Sequence, residues 1–297
     1  MPRVVLFILL PCWLALFGLN APATSAASAA SAAWAAGATG TGQAAAPEGA
    51  KTAVTDRPDW GRHFAEAGVT GALVLLTDGD APMVQAYDPA RAATGFLPAS
   101  TFKIPNSLIA LETGVVPGPD TVFAWDGVTR SIAAWNADLT FTKALRVSCV
   151  PIYQEAARRI GQERMQWWVR EMGYGNADIG EAIDTFWLRG NLRISALEQV
   201  AFVRRLAHDR LPFSPKTMAL VREMLVEERT EAGVLRAKTG LTGGDAPTPN
   251  VGWWVGWVEK GEGRWFFALN IDSLRPEDVP ARKAVVKAVL AAEGVWP

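Results

Sequence analysis

The sequence predicts an α/β (α+β) fold: a mixed, mainly antiparallel sheet built from both chain ends, flanked by helices, with an inserted helical subdomain. Three observations lead there. Apolar, strand-like runs lie near both ends of the chain, at Gly71–Thr77 and Met83–Tyr87 and again at 234–239, 252–259 and 264–271. The stretch between them carries apolar residues at helical spacing. Turn residues separate neighbouring strands, Gly79-Asp80 in the first pair and Gly261-Glu262-Gly263 in the last, which is the signature of hairpins. A chain of 297 residues, 49% of them hydrophobic, can bury a full core.

Taken in order, residues 1–33 read as an export signal. Arg3 supplies the positive n-region, residues 4–19 are nearly all apolar, and small-residue sites such as Ala21-Pro22-Ala23 follow. The apolar core is shorter than the ~20 residues of a membrane-spanning helix. Loss of this segment removes Arg3 alone among charged residues and takes the net charge from −1 to −2. In a Gram-negative cell the product is periplasmic. Residues 34–56, rich in Ala, Gly, Thr and Pro, are expected to be a flexible linker. The folded domain is expected over 57–297, opening with a short helix at 59–67. A second helix starts near Ser100, runs to Thr113 and stops at Gly114. Further helices are predicted at 154–172, 196–208 and 215–226, with an amphipathic one at Ala281–Ala292 closing the chain.

Composition excludes several classes of function. The net charge of −1 comes with no basic run, so nucleic acid is not an expected partner. His63 and His208 are the two histidines, in polar helical surroundings, too few to support a Ser-His-Asp triad or a zinc site. Cys12 lies in the export segment, so Cys149 is left alone in the mature chain, without an intramolecular disulfide and most simply a small buried hydrophobe. Most of the 13 tryptophans belong to core or cleft lining.

Chemistry enters at Pro98-Ala99-Ser100-Thr101-Phe102-Lys103. A helix starting here places Ser100 and Lys103 one turn apart on one face, a nucleophile with a base in reach. Pro105 implies an irregular first turn. The pattern recurs by chance about once in a chain of this size, so it is a hypothesis on its own. Three later stretches change its weight: Ser148-Cys149-Val150, Tyr174-Gly175-Asn176 and Lys238-Thr239-Gly240. Each alone is a common turn or strand end; their order together is specific.

In that order they resemble class D (oxacillinase-type) serine β-lactamases. Supporting text includes Trp135-Asn136, Phe186-Trp187-Leu188-Arg189-Gly190 and Gly252-Trp253-Trp254-Val255-Gly256-Trp257, and the resemblance spans residues 59–295. It implies the serine β-lactamase/penicillin-binding transpeptidase-like fold and hydrolysis of β-lactams through an acyl-Ser100 intermediate, with antibiotic resistance as the outcome. It implies that Lys103 becomes an N6-carboxylysine, held by the Trp187 indole, and acts as general base. Phe102, Val150, Trp187 and Leu188 are the expected apolar lining of that lysine. Ser148 is expected to relay a proton to the β-lactam nitrogen with Lys238 supplying positive charge. Val150, Thr239, Gly240, Leu241 and Arg282 are the expected substrate-binding residues. Thr239 and Arg282 hold the carboxylate, with Arg275 as the alternative, and the backbone N–H groups of Ser100 and Leu241 form the oxyanion hole. No metal or cofactor is implied beyond carbon dioxide or bicarbonate for the lysine. The expected partner is a small β-lactam, with no stable membrane association after signal removal and a monomer or homodimer as the working state.

Leu241 is aliphatic where many relatives carry an aromatic, and the polar loop 242–250 beside the site is expected to tune substrate range. Two other functions fit some of the motifs: a β-lactam sensor that acylates without efficient release, and a penicillin-binding transpeptidase. A sensor carries several membrane spans, a transpeptidase is larger, and the Trp187 context argues against the latter.

Overall fold

The structure, a computed structural model, describes residues 53–243, 250–273 and 275–297. The expected export signal, nearly all of the expected linker, and most of the loop 242–250 lie outside the described residues. Among the described residues no helix is long and apolar enough to cross a membrane.

One sheet dominates. Its strands are β1 (Val54–Asp56), β2 (Gly71–Thr77), β3 (Met83–Tyr87), β6 (Val226–Thr230), β7 (Gly233–Leu241), β8 (Val251–Lys260) and β9 (Gly263–Asp272), in the order β1-β3-β2-β9-β8-β7-β6. The missing numbers, β4 (Val122–Phe123) and β5 (Leu139–Thr140), form a separate two-stranded ribbon. Every neighbouring pair in the large sheet is antiparallel except β1 with β3. The N-terminal hairpin joins the C-terminal strands through β2 and β9, where Gly71 lies opposite Ile271 and Thr77 opposite Trp265. The sheet is therefore built from both ends of the chain, as the strand-like runs predict.

Two differences have simple causes. β1 falls inside the segment expected to be linker: its exposed residues contribute no apolar pattern, and its place comes from backbone pairing with 84–86. Strand β6 replaces the end of the helix expected at 215–226; its Val-Glu-Glu-Arg-Thr has no apolar alternation and is a strand because it lines up on β7.

The helices are α1 (Gly61–Glu66), α2 (Pro89–Ala92), α3 (Lys103–Glu112), α4 (Phe141–Arg146), α5 (Val150–Ile160), α6 (Gln162–Glu171), α7 (Phe186–Arg189), α8 (Ala196–Ala207), α9 (Pro215–Met224) and α10 (Ala281–Ala292). The helix expected at 154–172 is two, α5 and α6, because Gly161 breaks it at φ 85° and ψ 157°. A reciprocal Ser195–Glu198 capping box starts α8.

The sheet is apolar on both faces, which explains the near-continuous hydrophobic runs. Ala72, Val74, Trp253, Val255, Trp257, Phe266 and Ala268 pack with the helical insertion. Leu73, Leu75, Trp254, Val258, Phe267, Leu269 and Ile271 pack on the other side with α1 and α10. Alternation along each strand assigns neighbours to opposite layers.

Candidate active site

Ser100 sits on a 3₁₀ turn, Ala99–Phe102, that runs directly into α3. This is the irregular start that Pro105 implies. Pro105 occupies the first turn of α3, where its missing N–H has no helical partner to lose. Ala99 lies in the left-handed region at φ 49°, a strained conformation for a residue with a side chain. Three contacts hold the turn. Thr101 Oγ1 donates to the Pro98 carbonyl at 2.7 Å, Gln199 Nε2 donates to Thr101 Oγ1 at 2.8 Å, and the Trp253 indole donates to the Leu97 carbonyl at 2.9 Å.

Lys103 points back along this turn, and its Nζ donates to Ser100 Oγ at 3.1 Å. The lysine is 1% exposed and lies 5.1 Å from the Tyr153 ring centroid. Burial lowers its pKa to about 7, so a large share of the amine is neutral near neutral pH. Phe102, beside it in sequence, stacks on Trp187 at 5.6 Å. Trp187 is fully buried, and its indole N–H meets no acceptor among the described residues. Leaving such a donor unpaired costs about 1–3 kcal/mol.

Ser148 follows α4 and is also left-handed, at φ 55°. That twist turns its hydroxyl toward β7, where the Lys238 amine donates to Ser148 Oγ. The same amine donates to the Thr239 carbonyl at 2.8 Å and reaches Thr239 Oγ1 at 3.3 Å. Burial holds the Lys238 amine well below its ordinary pKa, and the Lys103 and Arg282 charges add to this. The positive charge expected of Lys238 is thus opposed in the free protein. An arriving carboxylate favours the ammonium again. Val150 opens α5 and is half-buried.

Gly240 brings β7 against the turn that carries Ser100. A Cβ there would stand 3.0 Å from the Pro98 carbonyl oxygen and 3.1 Å from Thr101 Cγ2. Leu241, next along the strand, pairs with Gly252 and exposes its side chain. Arg282 starts from α10, on the opposite face, and crosses to donate from Nη1 to the Gly240 carbonyl at 2.6 Å and from Nε to the Val279 carbonyl at 2.8 Å. Gly252 makes the passage possible, since a Cβ there would lie 2.8 Å from Arg282 Cδ. Arg275, the alternative, is mostly exposed and donates to Asp278 at 2.8 Å. The structure thus brings Arg282, and not Arg275, to the end of the Lys-Thr-Gly strand.

The Tyr174-Gly175-Asn176 stretch is a buttress outside the cluster. Tyr174 packs edge-on to Phe102, and Asn176 ties its loop to Arg193 and Asn191. Gly175, at φ 55°, would place a Cβ 1.9 Å from the Arg193 carbonyl oxygen, so only glycine fits. Cys149 is buried and free, and its thiol is pushed up by burial. His208 meets Asp78 at 2.5 Å, away from Ser100 in the hydrogen-bond pattern. No cluster of His, Cys, Asp and Glu suited to a metal is present among the described residues.

Tyr153, Gln199 and Trp253 escaped the sequence reading as site supports. Tyr153 had a signal, because it lies one turn after Val150 on the same helix face. Gln199 had none, since its partner Thr101 is 98 residues away.

Comparison with known proteins agrees with this geometry. The family model of the penicillin-binding protein transpeptidase domain matches residues 70–291. The chain is 42% identical over 243 residues to β-lactamase OXA-5 of Pseudomonas aeruginosa, covering 82% of this chain and 91% of that protein. It is 43% identical over 242 residues to β-lactamase OXA-48 of Klebsiella pneumoniae, covering 82% and 90%. A class D β-lactamase from Nostoc, YbXI, solved by crystallography, superposes with a TM-score of 0.77 at 42% identity, covering 80% of this chain and 98% of that one. With the serine–lysine pair, the Ser148–Lys238 contact and these relatives together, the chain belongs to the class D serine β-lactamases, enzymes that hydrolyse β-lactams.

Proposed function

We propose that Ser100 is the nucleophile that opens the β-lactam ring and that Lys103, carboxylated on Nζ, is the base that serves it. The observation that carries this reading is a buried amine, with pKa about 7, in hydrogen-bond contact with a serine hydroxyl. A neutral amine adds carbon dioxide, giving a carbamate and releasing one proton; an ammonium does not. The surroundings fit the group. Tyr153 and Phe102 supply an apolar wall, and the unpaired Trp187 N–H, stacked on Phe102, is a donor suited to an anionic oxygen.

The chain's own residues then account for the remaining steps. Ser100 Oγ loses its proton to the base and bonds to the lactam carbonyl carbon. The negative oxygen that forms is met by the backbone N–H groups of Ser100 and Leu241, a donor pair of which each member is worth about 3 kcal/mol. The ring C–N bond breaks, and Ser148, hydrogen-bonded to Lys238, hands a proton to the nitrogen. Thr239 and Arg282 grip the ring carboxylate; the guanidinium fork matches its two oxygens. A water activated by the same base hydrolyses the acyl-serine. Export by residues 1–33 to the periplasm places this activity where β-lactams act, and resistance is the proposed outcome.

Hydrolysis of a chromogenic cephalosporin by purified protein in bicarbonate tests the proposal. Wild type should turn over and Ser100→Ala should not. Stoichiometric acylation that persists in wild type, without turnover, would make the protein a sensor instead.

A further inference from the structure

A cavity of about 220 Å³ lies beside Lys238 and Thr239, at the corner where α9 meets β6. Its charged lining is Arg146, Glu227, Lys238 and Lys283. Three of these are engaged. Glu227 pairs with Lys283 and also accepts from the Trp254 indole at 3.2 Å. Lys238 is held by Ser148 and Thr239. Arg146, the last residue of α4, is exposed, and its guanidinium makes no hydrogen bond or ion pair with the described residues. The Glu227–Lys283 pair is neutral as a unit and Lys238 is turned onto Ser148 and Thr239, so Arg146 is the one charged side chain of this lining left without a partner among the described residues, two residues before Ser148.

We propose that this cavity receives the substituent on the carboxylate-bearing ring of a cephalosporin, and that Arg146 selects substituents that carry negative charge. The inference rests on the roles given above to Ser148 and Thr239. Those residues face the ring nitrogen and the ring carboxylate, and Thr239 forms part of the cavity wall. In a cephalosporin the carbon next to the carboxylate-bearing one holds the variable substituent, so that substituent is the part of the substrate nearest the cavity. The acylamino side chain leaves from the far side of the lactam ring. The exposure of Arg146 limits the gain to that of a solvent-screened ion pair, about 3- to 5-fold in affinity.

Cefotaxime and ceftriaxone test this directly, because they share one acylamino side chain. Cefotaxime carries a neutral acetoxymethyl group on the ring, and ceftriaxone carries an acidic triazine ring that is ionised at neutral pH. Each is measured as an inhibitor of chromogenic cephalosporin hydrolysis, which gives an apparent Ki even where its own turnover is slow. Relative to wild type, Arg146→Ala should raise the ceftriaxone-to-cefotaxime Ki ratio about 3- to 5-fold. Arg146→Glu should raise it further, Arg146→Lys should restore most of it, and molar salt should erase the difference. An unchanged ratio in Arg146→Ala and Arg146→Glu would overturn the proposal. Residual turnover in Ser100→Ala would instead overturn the assignment of the site, whatever the ratio does.

Discussion

Replacing Lys103 by methionine should abolish hydrolysis and yet stabilise the fold at low pH. Methionine keeps the length and apolar stem of lysine without an amine to bury. The amine titrates at ~10.4 in an unfolded chain and at about 7 in the folded one. Below pH 7 both states carry the ammonium, and the fold bears the full cost of burying it, about 4–5 kcal/mol. Between pH 7 and ~10.4 the unfolded chain binds a proton that the folded one does not, so wild-type stability rises with pH across this window. Losing the Lys103–Ser100 hydrogen bond costs the variant about 1 kcal/mol. The net expectation is a gain of about 3–4 kcal/mol for Lys103→Met at pH 6, declining to a small loss near pH 10.5. Urea unfolding of both proteins in carbon dioxide-free buffer at pH 6, 8 and 10.5 measures it. A stability difference that is the same at all three values, or a variant weaker than wild type at pH 6, would refute the idea that burial holds this amine low.

Trp187→Phe keeps the stacking on Phe102 and removes the unpaired N–H; steady-state turnover should fall more than the acylation burst, with partial recovery in excess bicarbonate, followed by stopped-flow absorbance. Arg282→Ala should lower kcat/KM for penicillins by about 10- to 100-fold, the worth of a charge-assisted hydrogen bond, mainly through KM, whereas Arg275→Ala should leave kcat/KM within twofold. Gly240→Ala should press the strand end off the Pro98–Thr101 turn by a few tenths of an ångström and lower kcat about tenfold, with a thermal midpoint close to wild type; unchanged kcat would show that the turn yields without cost.

Much of the fold is legible because the strands are buried on both faces and announce themselves as apolar runs. Gly71–Thr77 and Met83–Tyr87 stand at their expected limits, and the final helix does too. What escaped is set by pairing rather than by pattern: β1 and β6 are polar, and each exists because a neighbour offers it an edge. In the site, the Ser100–Lys103 contact follows from helical spacing, while the Ser148–Lys238 contact joins residues 90 apart and only motif order hinted at it. The left-handed backbone at Ala99 and Ser148 left no trace in residue type, since neither is glycine. Arg282 could be separated from Arg275 only by seeing which guanidinium passes Gly252.

The hydrogen bond from Trp253 to Leu97 spans 156 residues, and the one from Gln199 to Thr101 spans 98. Both fasten the loop that carries Ser100 to parts of the chain synthesised much later. Contacts of such sequence separation form late and slowly. During synthesis the serine emerges long before its supports, so no N-terminal fragment should react with a β-lactam. Recovery of acylation during refolding therefore times the docking of β8 rather than the appearance of α3, and a β-lactam that labels Ser100 becomes a clock for the last long-range step of folding.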